Sequence, residues 1–251
     1  MGEDLYGPLA RFYDRIYAGK DYAGEAAELT RRARRIVGPG PRTLLDVACG
    51  TGRHLERFRR EFAVHGADAS AAMLREARRR LGPEVPLVRG DMRHLVVRPA
   101  VDVLVCLFSA IGYLPTSRDR RAAFQAFFSS LRPGGVALIE GWLTPAAFRA
   151  GSIHLQTYDG PDVKIARLSR SLRQGGFSRI EMEYLVLEPG RRVRRYREVH
   201  RQPLIAPRQM LAELRAAGFD ASVVLRGRWA ERGLYVARRP QAPGPGRVTR
   251  P

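Results

Sequence analysis

The chain has 251 residues, 45% of them hydrophobic and 27% charged, with a formal net charge of +19. That length and composition suit a globular protein with one large core, or one core plus an insertion. They exclude a bilayer-spanning segment, because the longest apolar run, near 101–114, is too short and begins beside Asp102.

The acidic start Met1-Gly2-Glu3-Asp4 is unlike a signal peptide, and Tyr6 stands where a myristoylation signal needs Ser or Thr. Leu5–Tyr17 reads as a short aromatic-rich helix, and Asp21–Val37 as a second helix ended by Gly38-Pro39-Gly40-Pro41. Strands are expected at Thr43–Val47, Ala63–Ala67, Pro86–Val88, Val101–Phe108 and Gly135–Gly141. Helices at His54–Phe62, Ala71–Leu81 and Arg118–Leu131 alternate with them, which predicts a parallel sheet covered on both faces. Cys49 and Cys106 are isolated within apolar strands. They read as buried small hydrophobes in a reducing, cytoplasmic compartment, with no metal-ligand pattern. From Ser152 to Ile205 the helical period gives way to alternation, with turns at Gly160-Pro161, Gln174-Gly175-Gly176 and Pro189-Gly190. This predicts an inserted antiparallel meander of three or four strands. Pro207–Ala217 returns to helix, and Ala221–Leu225 with Gly233–Ala237 form a final antiparallel hairpin. Pro240–Pro251 reads as a disordered tail.

Nearly all the positive charge is arginine, since Lys20 and Lys164 are the only lysines. The arginines spread along helices (31–35, 57–60, 78–80) and form no stripe with aromatics, so nucleic acid is not the expected partner. A substrate carrying phosphate suits the charge.

Three markers sit at successive strand ends. Leu44-Leu45-Asp46-Val47-Ala48-Cys49-Gly50-Thr51-Gly52 is a strand running into a glycine turn that permits close backbone approach. It has neither the Gly-Lys-Ser/Thr of a phosphate loop nor a third glycine. Asp68 ends the second strand, where a carboxylate can accept ribose hydroxyls. Gly90-Asp91-Met92 follows the third, offering a carboxylate for an adenine amino group and a side chain for its ring. This constellation resembles the class I S-adenosylmethionine methyltransferases. The resemblance implies a Rossmann-like α/β fold: a mostly parallel seven-stranded sheet with helices on both faces, here with the inserted antiparallel β-meander.

A narrower resemblance is carried by Phe12-Tyr13-Asp14, Gly19-Lys20-Asp21-Tyr22, Gly90-Asp91-Met92-Arg93, Phe108-Ser109-Ala110-Ile111-Gly112-Tyr113-Leu114, Arg132-Pro133-Gly134-Gly135 and Arg232-Gly233-Leu234-Tyr235. In this order they resemble the TDP-amino-deoxysugar N,N-dimethyltransferases of the desosamine and mycaminose type. The resemblance implies S-adenosyl-L-methionine as cofactor and a nucleotide-linked aminosugar as substrate, methylated on nitrogen in antibiotic biosynthesis. It places Tyr13, Tyr22, Asp46, Ala48, Gly50, Gly52, Asp68, Ala69, Met73, Asp91, Met92 and Leu107 at the cofactor. Tyr113 and Tyr6 stand at the amine as catalytic residues, and Trp142 and Arg232 join them at the substrate, Arg232 on the diphosphate. Of the possible bases His54, His65, His94, His154 and His200, the two on the insertion, His154 and His200, are preferred. A homodimer without membrane association is expected.

The resulting division is a helical lid at 1–37, a cofactor-binding core at 38–150, the β insertion at 151–206, the end of the core at 207–239 and the tail at 240–251. Two alternatives stay open: a methyltransferase for oxygen or carbon of another natural product, and a basic enzyme modifying nucleic acid.

Overall fold

The computed structural model describes residues 6–40 and 42–241, so the acidic start and the tail from 242 lie outside the described residues. A 3-10 turn, Ala10–Phe12, runs into one turn of helix, α1 (Tyr13–Ile16), and then α2 (Tyr22–Val37). The single helix expected over Leu5–Tyr17 is therefore two short pieces. Leu9, Phe12, Tyr13 and Ile16 keep the spacing of one helical stripe and are all buried, but the backbone tightens to a 3-10 turn over Ala10–Phe12 before α1 begins.

The core alternates as expected: β1 (Thr43–Val47), α3 (Arg53–Phe58), β2 (Ala63–Asp68), α4 (Ala71–Leu81), β3 (Leu87–Arg89), β4 (Val101–Cys106), α5 (Ser117–Ser130) and β5 (Leu131–Glu140). Ser70 caps α4 by accepting from the Met73 amide at 3.1 Å, and Thr116 caps α5 from the Asp119 amide at 3.0 Å. Helix α3 stops four residues short of the expected Phe62, in a turn closed by the Phe62 amide on the Phe58 carbonyl. Strand β4 stops at Cys106 because Phe108 and Ser109 take left-handed backbone conformations, with φ of 52° and 59°.

The chain later returns to this sheet through α6 (Pro207–Ala216), after an excursion of four strands: β6 (Ile153–Asp159), β7 (Lys164–Gln174), β8 (Phe177–Leu187) and β9 (Arg194–Pro203). It closes with β10 (Asp220–Val224) and β11 (Leu234–Arg238). The large sheet has seven strands in the order β10-β11-β5-β4-β1-β2-β3. β3 to β5 pair in parallel, and β11 lies antiparallel between β5 and β10. Chain direction across the sheet reverses between β1 and β4, which opens a crevice at their carboxyl ends. All six residues of β4 are buried, as a central parallel strand requires.

β6 to β9 form a separate antiparallel meander in sequence order. Its inner face brings Ile165, Met182, Tyr184 and Val186 against Leu9, Phe12, Tyr13 and Ile16, with Met73 of α4 beneath. The N-terminal segment is thus sandwiched between the second sheet and the core. Polar ties reinforce this: Gln156 donates to the Ile16 carbonyl at 2.5 Å, Arg11 pairs with Glu188 at 2.9 Å, and Arg15 pairs with Asp162.

Candidate active site

The carboxyl ends of β1, β2, β3 and β4 carry the first group of expected residues. After β1, Ala48, Gly50 and Gly52 all have positive φ (61°, 55° and 78°), so the loop turns back on itself with its amides turned inward. Asp68 holds that loop: its carboxylate accepts from the Gly50 amide and the Ser70 amide, each at 2.8 Å. Each oxygen keeps a second lone pair, the acceptor pair that vicinal hydroxyls need. Burial pushes the Asp68 carboxyl up, against the pull of these amides. Burial and the neighbouring Asp68 charge also push up Asp46, which is 2% exposed.

Asp91 follows β3 and is half-exposed. It accepts from the Arg93 amide at 2.9 Å and from the Arg93 guanidinium at 2.6 Å, which holds its carboxyl below the usual range despite some burial. Met92 and Leu107 pack beside this edge, each against a different face of the large sheet. Ala69 is exposed between Asp68 and α4. Met73 of α4 is buried and packs with Leu9 and Phe12 of the N-terminal segment.

An aromatic wall faces the β4 end. Tyr13 and Tyr17 lie 4.7 Å apart between ring centres, and Phe108 stands edge-on to Tyr17 at 4.9 Å. The Lys20 ammonium already sits 4.7 Å from the Phe108 ring and 5.3 Å from Tyr22, so these faces attract a cation. Lys20 is paired with Glu25 at 2.5 Å, and Glu25 also binds His54 at 2.9 Å. Acidic acceptors for hydroxyl and amino groups, an inward-turned loop and aromatic faces for a sulfonium fit S-adenosylmethionine.

The second group lies where β4, β5 and β9 converge. Tyr6 and Tyr113 hydroxyls are 2.6 Å apart. Tyr113 in turn bonds His200 Nδ1 at 2.5 Å, and His200 Nε2 bonds Glu198 at 2.8 Å. Burial, with the neighbouring tyrosines, pushes Tyr6 well above its usual value; burial also pushes Tyr113 up, so both are neutral phenols. Trp142 donates to Ser178 Oγ at 2.8 Å, which orients its indole against the second sheet. Arg232 precedes β11 and pairs with Glu140 at 2.9 Å; the other Glu140 oxygen accepts the Phe108 amide at 2.6 Å. Its guanidinium remains one-third exposed and 5.7 Å from the Trp142 ring.

Of the expected histidines, only His200 enters this cluster. His154 is exposed on β6, and His54 is occupied by Glu25 on the other side of the glycine loop. Glu198 and Glu140 were not singled out from the sequence. For Glu198 a signal existed: Glu-x-His within an alternating segment puts both side chains on one face of a strand. For Glu140 there was none, since its partners are 32 and 92 residues away.

This sheet order and this edge define a class I S-adenosylmethionine-dependent methyltransferase. Residues 44–135 match the model of the methyltransferase domain family. The chain is 38% identical over 230 residues to the dTDP-3-amino-3,4,6-trideoxy-alpha-D-glucopyranose N,N-dimethyltransferase of Streptomyces venezuelae, covering 90% of this chain and 96% of that one. It is 39% identical to the dTDP-4-amino-2,3,4,6-tetradeoxy-D-glucose N,N-dimethyltransferase of Saccharopolyspora spinosa, covering 94% of each. Among solved structures it is similar to an S-adenosylmethionine-bound amino pentose methyltransferase from Micromonospora echinaspora involved in calicheamicin biosynthesis. There the TM-score is 0.80 and the identity 37%, over 90% of this chain and 96% of the other. The chain belongs to this family of sugar N-methyltransferases.

Proposed function

We propose that this enzyme transfers two methyl groups in turn to the amine of a TDP-linked amino-deoxysugar, as part of building an antibiotic or related metabolite. The observation that carries this reading is the Tyr6–Tyr113 hydroxyl pair, 2.6 Å apart where the turn after β4 meets β9. Two neutral phenols in an aromatic wall offer hydrogen bonds to an amine without fixing its charge. Arg232 supports the nucleotide part, because its planar fork suits a diphosphate and Glu140 aims it.

When bound, S-adenosylmethionine supplies an activated methyl group. The protein's part is to place the nitrogen in line with it, exclude water and remove one proton before each transfer. Tyr6 and Tyr113 orient the nitrogen, and Trp142, fixed by Ser178, walls the sugar. Tyr13, Tyr22, Asp46, the Ala48–Gly52 loop, Asp68, Ala69, Asp91, Met92 and Leu107 would hold the cofactor.

The chain would act as a homodimer in the cytoplasm. The outer face of the second sheet supports the dimer: Ile153, Leu155, Leu168, Leu185 and Leu187 are exposed there, and Leu155 pairs directly with Leu168. Among the described residues no helix is long and apolar enough to cross a membrane. The two unpaired thiols, Cys49 and Cys106, are buried, as in a reducing compartment.

The test is incubation with S-adenosylmethionine and TDP-sugars bearing an amine at C3, an amine at C4, or hydroxyls only. Mass gains of two methyl groups on an aminosugar are expected, with none on the hydroxyl sugar. Methylation of the hydroxyl sugar alone would replace this reading with oxygen methylation.

A further inference from the structure

We propose that His200, oriented by Glu198, is the proton acceptor for the substrate amine, reached through the Tyr113 hydroxyl. The proposal rests on the aminosugar reading above and deepens it by assigning the base.

The four side chains come from three parts of the chain: Tyr6 from the N-terminal segment, Tyr113 from the 3-10 turn after β4, and Glu198 and His200 from β9. Every link is a hydrogen bond, at 2.6, 2.5 and 2.8 Å in order. The inner end is dry, since the Glu198 side chain is 0% exposed and that of His200 4%. Glu198 and His200 are separated by one residue on β9, so both point to the same, inner face of the sheet. A buried His-carboxylate pair needs a use, because an apolar pair at these positions would avoid desolvating the charge.

Chemistry gives the chain a direction. A carboxylate is an acceptor only, so His200 keeps its proton on Nε2 and donates it to Glu198. Nδ1 is then the acceptor, and the Tyr113 hydroxyl must donate into it. The lone pairs of Tyr113 Oη therefore face outward, toward Tyr6 and the crevice. A sugar ammonium arriving there donates to Tyr113. Its N–H proton passes to Oη as the phenol proton passes to Nδ1. The nitrogen regains its lone pair, Tyr113 ends as a neutral phenol, and His200 becomes an imidazolium beside Glu198. Neutral Tyr113, its titration raised by burial, cannot serve as the base alone but can relay.

The first methyl transfer turns the amine into a secondary ammonium, which must lose another proton before the second. The imidazolium discharges its proton to water that reaches Tyr113 between the two rounds. Tyr6 and Tyr113 face His200, and Tyr17, Tyr113 and Tyr184 of β8 lie close enough to feel the Glu198 charge, with Arg167 of β7 beside Tyr17.

Three variants and one spectroscopic measurement test this. His200→Asn keeps a polar side chain but cannot accept a proton. Its kcat near neutral pH is expected to fall about 100-fold, with KM little changed. The loss should shrink as the pH rises, because more of the sugar amine arrives already neutral. Glu198→Gln keeps the volume but offers an N–H to Nε2. That favours the other tautomer and reverses the chain, so a loss of about 10- to 100-fold is expected. Tyr113→Phe should match His200→Asn. Monomethylated sugar should accumulate with all three. S-adenosylhomocysteine affinity and thermal midpoint check that the variants fold. Equal loss at every pH, or a His200→Asn enzyme as fast as the wild type, would overturn the relay.

Nitrogen NMR of the histidines needs no sugar. The His200 proton is expected on Nε2, with the Nδ1 signal shifting in Tyr113→Phe; a proton on Nδ1 would overturn the relay. A wild-type enzyme that leaves every aminosugar unmodified would instead overturn the substrate reading, while the tautomer still decides the relay's polarity.

Discussion

At the scale of single residues, the site is built from groups that hold one another in place before any ligand arrives. Arg232 is the plainest case. Glu140 anchors its guanidinium at 2.9 Å and is itself only 3% exposed, so removing Arg232 outright would strand a buried carboxylate. Arg232→Lys keeps the charge and loses the two-pronged fork. It is expected to raise the KM for the nucleotide sugar about 10-fold, with kcat nearly unchanged and the thermal midpoint preserved. An unchanged KM would remove Arg232 from the diphosphate site. The sequence made Asp46, the glycine loop, Asp68 and Asp91 legible because each sits at a strand end with its neighbours in order. The pairings of Lys20, Glu25, Glu140 and Glu198 stayed hidden for a physical reason. Their roles come from partners distant in sequence or from shared faces, and a charged residue in an arginine-rich chain reads as surface.

At the scale of elements, periodicity was a good guide where one face alone is buried: helices α2, α4 and α6 lie within a residue of their expected limits, while β1, buried on both faces, was legible as an apolar run. Periodicity missed the break in the N-terminal segment, where the helical spacing of Leu9, Phe12, Tyr13 and Ile16 is kept but the backbone tightens to a 3-10 turn, and the end of β4, where Phe108 and Ser109 leave the strand. Both exceptions line the proposed site. The N-terminal segment is also latched to the glycine loop: Thr51 donates to Asp14 at 2.7 Å, and Arg80 of α4 pairs with Asp14 and binds the Thr51 carbonyl at 3.0 Å. Lid and cofactor loop are therefore one unit. Away from the site, α5 and α6 are joined by Arg120 and Glu213, a two-pronged buried pair at 2.7 Å on both prongs. Burial pushes the Glu213 carboxyl up, but the bonds from Arg120, Ser117 and Gln209 outweigh it and hold the value below normal. Unfolded Glu213 therefore binds its proton more tightly than folded Glu213. The stabilisation is complete above the unfolded value, about 4.3, and is lost as the pH falls through the lower folded value. Glu213→Ala is expected to cost about 3–5 kcal/mol at pH 7, because Arg120 is left buried and unpaired. Urea unfolding at pH 7 and pH 4 should show that the variant loses less than the wild type on acidification. An equal loss in both would place the acid sensitivity elsewhere.

At the scale of the whole molecule, the meander packs over the N-terminal segment on the large sheet, and the proposed substrate side lies where Tyr6 and Tyr113 meet β9. The net charge of +19 suits an anionic nucleotide-linked substrate and does not require nucleic acid. The apolar outer face of the second sheet gives the proposed dimer a definite place. Leu155→Glu with Leu168→Glu puts facing like charges on neighbouring strands of that face. Light scattering should then read a monomer where the wild type reads a dimer; two dimers would locate the interface elsewhere. The fold class was legible because strand and helix alternate along more than 90 residues, and the meander because alternation replaced helical period. The pairing of Tyr113 with β9 was not, since 87 residues separate it from His200. The most direct measurement counts S-adenosylhomocysteine released per TDP-aminosugar consumed. Two equivalents per sugar, with the monomethyl sugar as a transient, are expected; release of none on any TDP-aminosugar would contradict sugar N,N-dimethylation.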